Sequence, residues 1–168
     1  MSETEEAWWE QRQLTTACME GDTRTVATLI TRDNVNCVVD SRTPLITAIH
    51  YQQQEVVEII LEVEGVDINK TVAGWTALHE ACFTNNIAAI RAVTGHINDV
   101  DMNKMDDDGY TPIMIAIWFD KMEAVKELLA IREVELDVDG QDIEDLARDK
   151  NKILFMVQRE RKRRKIKD

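Results

Sequence analysis

Three short stretches decide the fold: Thr43-Pro44-Leu45-Ile46-Thr47-Ala48, Thr76-Ala77-Leu78-His79-Glu80-Ala81 and Thr111-Pro112-Ile113-Met114-Ile115-Ala116. They are copies of one pattern, and their final alanines lie 33 and 35 residues apart. Self-similarity at such a period marks a stack of small units, each too small to bury its own apolar face. Two degenerate copies flank them, Leu14-Thr15-Thr16-Ala17 and Ile143-Glu144-Asp145-Leu146-Ala147, each alanine 31 residues from its neighbour. Thr followed by Pro suits a helix start: the hydroxyl satisfies an orphan backbone N–H, and proline in the first turn forfeits no hydrogen bond.

The rest of the unit recurs in register. After each alanine come a short break and an amphipathic stretch: Glu55 to Leu61, Ala88 to Val93, and Glu123 to Leu129, each apolar at helical spacing. Between units lie Gly65-Val66-Asp67-Ile68-Asn69, Asn98-Asp99-Val100-Asp101-Met102-Asn103 and Glu135-Leu136-Asp137-Val138, short extended segments followed by turns at Gly74 and Gly109. The alanines at 48, 81, 116 and 147 are small so that helices approach closely.

A TPLHxA-like signature near a 33-residue period, a second helix of EVVxxLL type and a GxDxN loop together resemble the ankyrin-repeat family. The resemblance covers about five units, near residues 7–38, 39–71, 72–106, 107–138 and 139–158. It implies an all-α solenoid of stacked antiparallel helix pairs joined by hairpin-like loops, with the first and last units as degenerate caps. Ser41 stands where the family usually has glycine, and two residues are inserted near Gly95 and Asn98. The expected organisation is a repeat domain over 1–158 and a basic tail over 159–168.

Composition fits a chain of ordinary domain length. Its 6 glycines, 2 prolines and 44% hydrophobic content describe neither a disordered nor a low-complexity polymer. The three cysteines have no CxxC spacing, which argues against a disulfide framework and a zinc site and for a reducing intracellular setting. The acidic first ten residues lack the features of a signal peptide, and no apolar run approaches a membrane span, so a cytoplasmic location is expected, with nuclear entry depending on the tail. Net charge is −12, but residues 158–168 carry seven basic and two acidic side chains, which leaves −17 on the remainder. An acidic body repels phosphate backbones and steers basic partners. Nucleic-acid binding is not expected, and neither is a small-molecule substrate or a cofactor.

The candidates for chemistry all have structural readings. The resemblance implies that His79 hydrogen-bonds a neighbouring loop, and no histidine pair has metal-ligand spacing. Cys18 and Cys82 share the repeat position of Ile49 and Ile117, which makes them core residues; Cys37, in a linking loop, is the one thiol left open to reactivity. Asp106-Asp107-Asp108-Gly109 does not continue as a calcium loop and reads as a turn before a helix. No nucleophile, base and orienting acid recur at catalytic spacing, so no enzyme is expected.

Aromatic residues carry the binding expectation. His50-Tyr51, Phe83 and Trp118-Phe119 follow the three central signatures, and Arg42, Trp75 and Tyr110 precede their threonines. By the resemblance these positions line the concave face and hairpin tips, where large rings would anchor a partner. Trp118 and Phe119 have the alternative of tucking between units as core. The expectation is therefore a monomeric protein-binding adaptor or scaffold that holds a basic or amphipathic segment of another protein. The alternative is a nuclear regulatory protein whose tail, including Arg161, Lys162, Arg163, Arg164 and Lys165, directs import or contacts nucleic acid; a solvated helix end is the plain reading of the same run. Trp8-Trp9 either cover the open end of the stack or form a linear motif, with covering expected. The resemblance also implies that Asn69 and Asn103 are candidates for hydroxylation, against their use in bonding loop backbone.

Overall fold

The computed structural model describes residues 3–138 and 140–165. Ile166 to Asp168, the end of the expected tail, lie outside the described residues.

Five helix pairs follow one another: α1 (Glu3–Glu20) with α2 (Thr23–Leu29), α3 (Pro44–His50) with α4 (Gln54–Leu61), α5 (Ala77–Phe83) with α6 (Ile87–Gly95), α7 (Pro112–Trp118) with α8 (Met122–Leu129), and α9 (Ile143–Leu146) with α10 (Asn151–Lys165). The first members pack on one another in chain order, and so do the second members from α2 to α8, with α10 against α8. The architecture is the all-α solenoid expected from the repeat. Its core is a continuous row in which Ala17, Ala48, Ala81, Ala116 and Ala147 are buried beside Leu14, Ile49, Leu78, Ile117 and Ile143. Cys18 and Cys82 are buried in that same row. Burial pushes the Cys18 thiol up to about 12 and raises Cys82 as well, so neither is a thiolate at neutral pH.

The signatures act as helix starts. Thr43 accepts from the Ile46 N–H, with Pro44 in the first turn. Thr76 and His79 form a reciprocal cap: the Thr76 hydroxyl takes the His79 N–H, and His79 Nδ1 takes the Thr76 N–H at 3.2 Å. That leaves His79 Nε2 to donate to the Tyr110 carbonyl at 3.0 Å, which ties the third unit to the hairpin of the fourth. His79 is fully buried, and desolvation lowers its pKa against the opposing pull of the Tyr110 carbonyl.

Between units the chain makes tight hairpins. Val39 and Arg42 exchange backbone hydrogen bonds, as do Val72 and Trp75; the Asp106 to Tyr110 turn is one residue longer and uses the Asp106 carboxylate to hold the Tyr110 N–H. Between α8 and α9 the hairpin becomes two short antiparallel strands, β1 (Asp137–Val138) and β2 (Gln141–Asp142). Ser41, Gly74 and Gly109 occupy the same hairpin position and all have positive φ, 59°, 80° and 85°. Glycine is needed most at Gly74, where a Cβ would lie 2.7 Å from the Asp107 backbone nitrogen of the next hairpin.

The loops behind the second helices are joined by asparagine. Asn36 donates to the Gly65 carbonyl and accepts from the Asp67 N–H. Asn69 does the same with Asp99 and Asp101, and Asn103 with Glu133 and Glu135. Each side-chain amide thus spends both of its ends on the backbone of the next unit, which is the structural use of Asn69 and Asn103. Asn36 performs it too, 33 residues before Asn69.

At the far end the structure departs from the expected boundary at 158–159. Helix α10 runs through it without a break. Arg164 turns back so that its guanidinium reaches the carbonyls of Val134 (2.6 Å), Ile131 (2.8 Å), Leu129 and Arg132 (both 3.3 Å), closing the C-terminal end of α8 and the turn after it. Arg161 lies among Asp137, Asp142 and Glu144 and reaches the Leu136 carbonyl. These two residues of the expected tail are mostly buried parts of the fifth unit. Lys162, Arg163 and Lys165 stay exposed.

Candidate functional site: the concave groove

The hairpin tips and the C-terminal ends of the first helices converge on one side of the stack. Arg42 and Trp75 emerge from adjacent hairpins; His50 and Phe83 end helices α3 and α5. Together with Asp40, Val72 and Glu80 these four line an open groove of about 450 Å³ between the second and third units. Glu80 is nearly buried and accepts a 2.6 Å hydrogen bond from His50 Nδ1, so one wall of the groove is fixed by a contact between units. Its polar groups are mixed: the carboxylates of Asp40 and Glu80, the Arg42 guanidinium and the His50 imidazole. The negative charge belongs to the body as a whole rather than to this groove.

The aromatic rings form two connected groups. Trp75 meets Phe83 edge-on at 5.4 Å, and Phe83 meets Phe119 edge-on at 4.8 Å, which carries the run from the third unit to the fourth. Trp75 also stacks on the buried His79, so its ring is braced from behind. Lys121 places its ammonium 5.9 Å from the Phe83 ring centre. Tyr110 and Trp118 make a second pair at 5.9 Å. Tyr51 packs edge-on against His50 at 4.9 Å. Trp118 is 56% exposed, Phe119 43% and Tyr51 41%, so none of the three is tucked into the core. Tyr51, Tyr110, Trp118 and Phe119 lie outside the groove lining itself; Phe119 is joined to it through Phe83.

Of the two tryptophans, Trp9 lines the groove at the open end of the stack, beside Arg12, Gln13 and Thr16, while Trp8 lies outside that lining. Gln13 takes the place that Pro44 has in α3, so Glu3–Arg12 lengthens α1 by nearly three helical turns relative to the other first helices, with both rings at 52% and 53% exposure. The Arg12 guanidinium sits 5.1 Å from the Trp8 ring centre and 3.6 Å from Asp40 at the groove. That link was hidden in the sequence, where Arg12 stands 28 residues from Asp40. Polar side chains face the same open end beside Trp9, including Thr16, Thr25 and Thr28, as a terminal unit requires.

Among the described residues no group of three or more His, Cys, Asp or Glu side chains is placed to hold a metal ion. None of their helices is long and apolar enough to cross a membrane. What the site offers is surface: braced rings and fixed polar groups on a rigid stack, suited to holding a peptide or protein.

Comparison with known proteins agrees. SMC5-SMC6 complex localization factor protein 1 of Homo sapiens is 36% identical over 88 residues, 49% of this chain and 8% of that protein. The Bos taurus protein of the same name is 38% identical over 72 residues, 42% and 7% of the two chains. The probable 26S proteasome regulatory subunit p28 of Saccharomyces cerevisiae is 28% identical over 87 residues, 48% and 38%. The matched stretch is thus less than a tenth of the first two proteins and well under half of the third. A family model described as ankyrin repeats (3 copies) matches residues 4–72 and 63–142. Most of the sequence falls within those matches, their units coincide with the helix pairs of the structure, and the chain belongs to the ankyrin-repeat family.

Proposed function

We propose that this chain is an adaptor whose concave groove holds an amphipathic segment of another protein, apolar side chains against Trp75 and Phe83 and basic residues outward toward the acidic body. Ankyrin repeats are generic protein-interaction modules, and the observation that supports this particular face is the Trp75–Phe83–Phe119 run beside the 450 Å³ groove. Rigid rings bury large area at small entropic cost, and truncating such anchors commonly removes more than about 1 kcal/mol each. The −17 body adds attraction at longer range that salt screens. The relatives named for localising a complex and for regulating a proteasome carry names compatible with adaptor work. The alternative in which the tail acts alone has less support, since Arg161 and Arg164 are occupied within the fifth unit.

Peptide display on the immobilised protein tests the reading. Selected peptides should be amphipathic with net positive charge, and a Trp75→Ala, Phe119→Ala variant with an unchanged circular dichroism spectrum should release them. Equal retention by that folded variant rules out the aromatic face.

A further inference from the structure

The two ends of the stack are opposite in character. Helix α1 carries Glu5, Glu6, Glu10 and Glu20 on its exposed surface, with Trp8 and Trp9 more than half exposed among them. At the other end, Leu129, Ala130 and Met156 form the apolar floor of a groove of about 570 Å³ between α8 and α10, rimmed by Lys126, Arg159, Lys162 and Arg163. Of the carboxylates at that rim, Glu160 is held by Arg163 and Arg164, and Glu123 lies 3.7 Å from Lys126. Phe155, on the same helix α10, is 66% exposed.

We infer that these ends fit each other in trans: the acidic, tryptophan-bearing start of α1 from one copy docks in the basic groove between α8 and α10 of a second copy. An apolar floor within a cationic rim asks for an acidic segment with large exposed rings, and the lengthened start of α1 is such a segment. The two surfaces lie at opposite ends of a linear stack. The contact is therefore heterologous, and it joins copies head to tail rather than into a closed two-fold dimer. In place of the monomer expected from the sequence, the chain forms short end-to-end assemblies whose length rises with concentration and falls with salt.

Sedimentation equilibrium of the full chain reads this directly. At low salt the average mass should rise above the monomer as concentration increases, and raising salt from about 50 to about 300 mM should weaken the association constant roughly tenfold. Two variants separate the ends: Trp8→Ala with Trp9→Ala, and Lys162→Glu with Arg163→Glu. All four side chains are exposed, and Arg161 and Arg164 are untouched in both, so the stack should melt as before. Each variant alone should be monomeric, while an equal mixture should form one-to-one dimers and stop there, because each keeps one sound end. A wild type that stays monomeric at submillimolar concentration and low salt overturns the inference, as does a mixture that fails to pair. Association lost only in the Lys162→Glu, Arg163→Glu variant would assign the groove to another acidic segment and overturn the pairing with α1.

Discussion

Replacing Arg164 should cost far more stability than replacing the exposed Arg163 beside it. The two short hydrogen bonds of Arg164, 2.6 Å to the Val134 carbonyl and 2.8 Å to Ile131, join a full charge to half-buried acceptors, and such bonds contribute about 1.5–3 kcal/mol each. The two at 3.3 Å come from the same two nitrogens and are weaker. Against this stands the side-chain entropy of holding an arginine still, about 2 kcal/mol, so Arg164→Ala should lose a net of roughly 1–4 kcal/mol, centred near 2.5. For a chain of this length the central value is a fall in melting temperature of roughly 5–10 °C. Lysine keeps the charge but not the planar fork, and Arg164→Lys should fall between. Arg163 is exposed and pairs only with Glu160 among the described contacts, so Arg163→Ala should stay within about 0.5 kcal/mol of wild type. Because repeat stacks can unfold in sections, melts should be paired with amide exchange, where Arg164→Ala should open α8 and α9 before the central units. Matching melts and exchange for Arg164→Ala and Arg163→Ala would refute the reasoning.

His79 makes stability depend on acid. Burial lowers its pKa in the folded chain, so below about pH 6.5 the unfolded chain binds a proton that the folded one refuses, and stability falls as pH drops, by at most about 1.4 kcal/mol per unit. His79→Leu should be less stable at neutral pH, with the Tyr110 carbonyl losing its donor, yet show a flatter profile from pH 7 to 5 in urea titrations; parallel profiles would contradict this. Gly74→Ala adds a Cβ at positive φ against the Asp107 backbone and should cost more than about 2 kcal/mol, whereas Ser41→Gly relieves the same conformation and should leave the melt unchanged or raise it. With a disulfide reagent at pH 8, Cys37 should react first and slowly, burial having raised its pKa, while Cys18 and Cys82 stay protected until denaturant is added; rapid labelling of all three in the native state would contradict their placement.

The repeat was legible because its signals are short range. Thr-Pro at a helix start, alanine at the crossing and apolar spacing within one turn each depend on neighbours in sequence, and all reappear in the structure. Inter-unit contacts were harder to read. Asn36 has the same duty as Asn69 but lacks the Gly-Val-Asp context before it, leaving only its 33-residue offset as a signal. Arg161 and Arg164 looked like any other cations in a basic run. Their roles depend on the phase of a helix against carbonyls 30 residues earlier, which no local pattern reveals. The groove is a similar case: its residue types were visible, but the Glu80–His50 contact and the Arg12 link to Asp40 exist only once the units are stacked.

The asparagine bridges make the chain divisible in one particular increment. Excising residues 70–103 would place Asn69 where Asn103 now stands, facing the Glu133 carbonyl and the Glu135 N–H with the same side-chain geometry. Such a molecule, shorter by one whole unit, has matching joints and should fold, while a cut of half that length leaves an amide opposite a helix. Length in this protein is therefore counted in units rather than in residues, and its reach along a partner changes in steps.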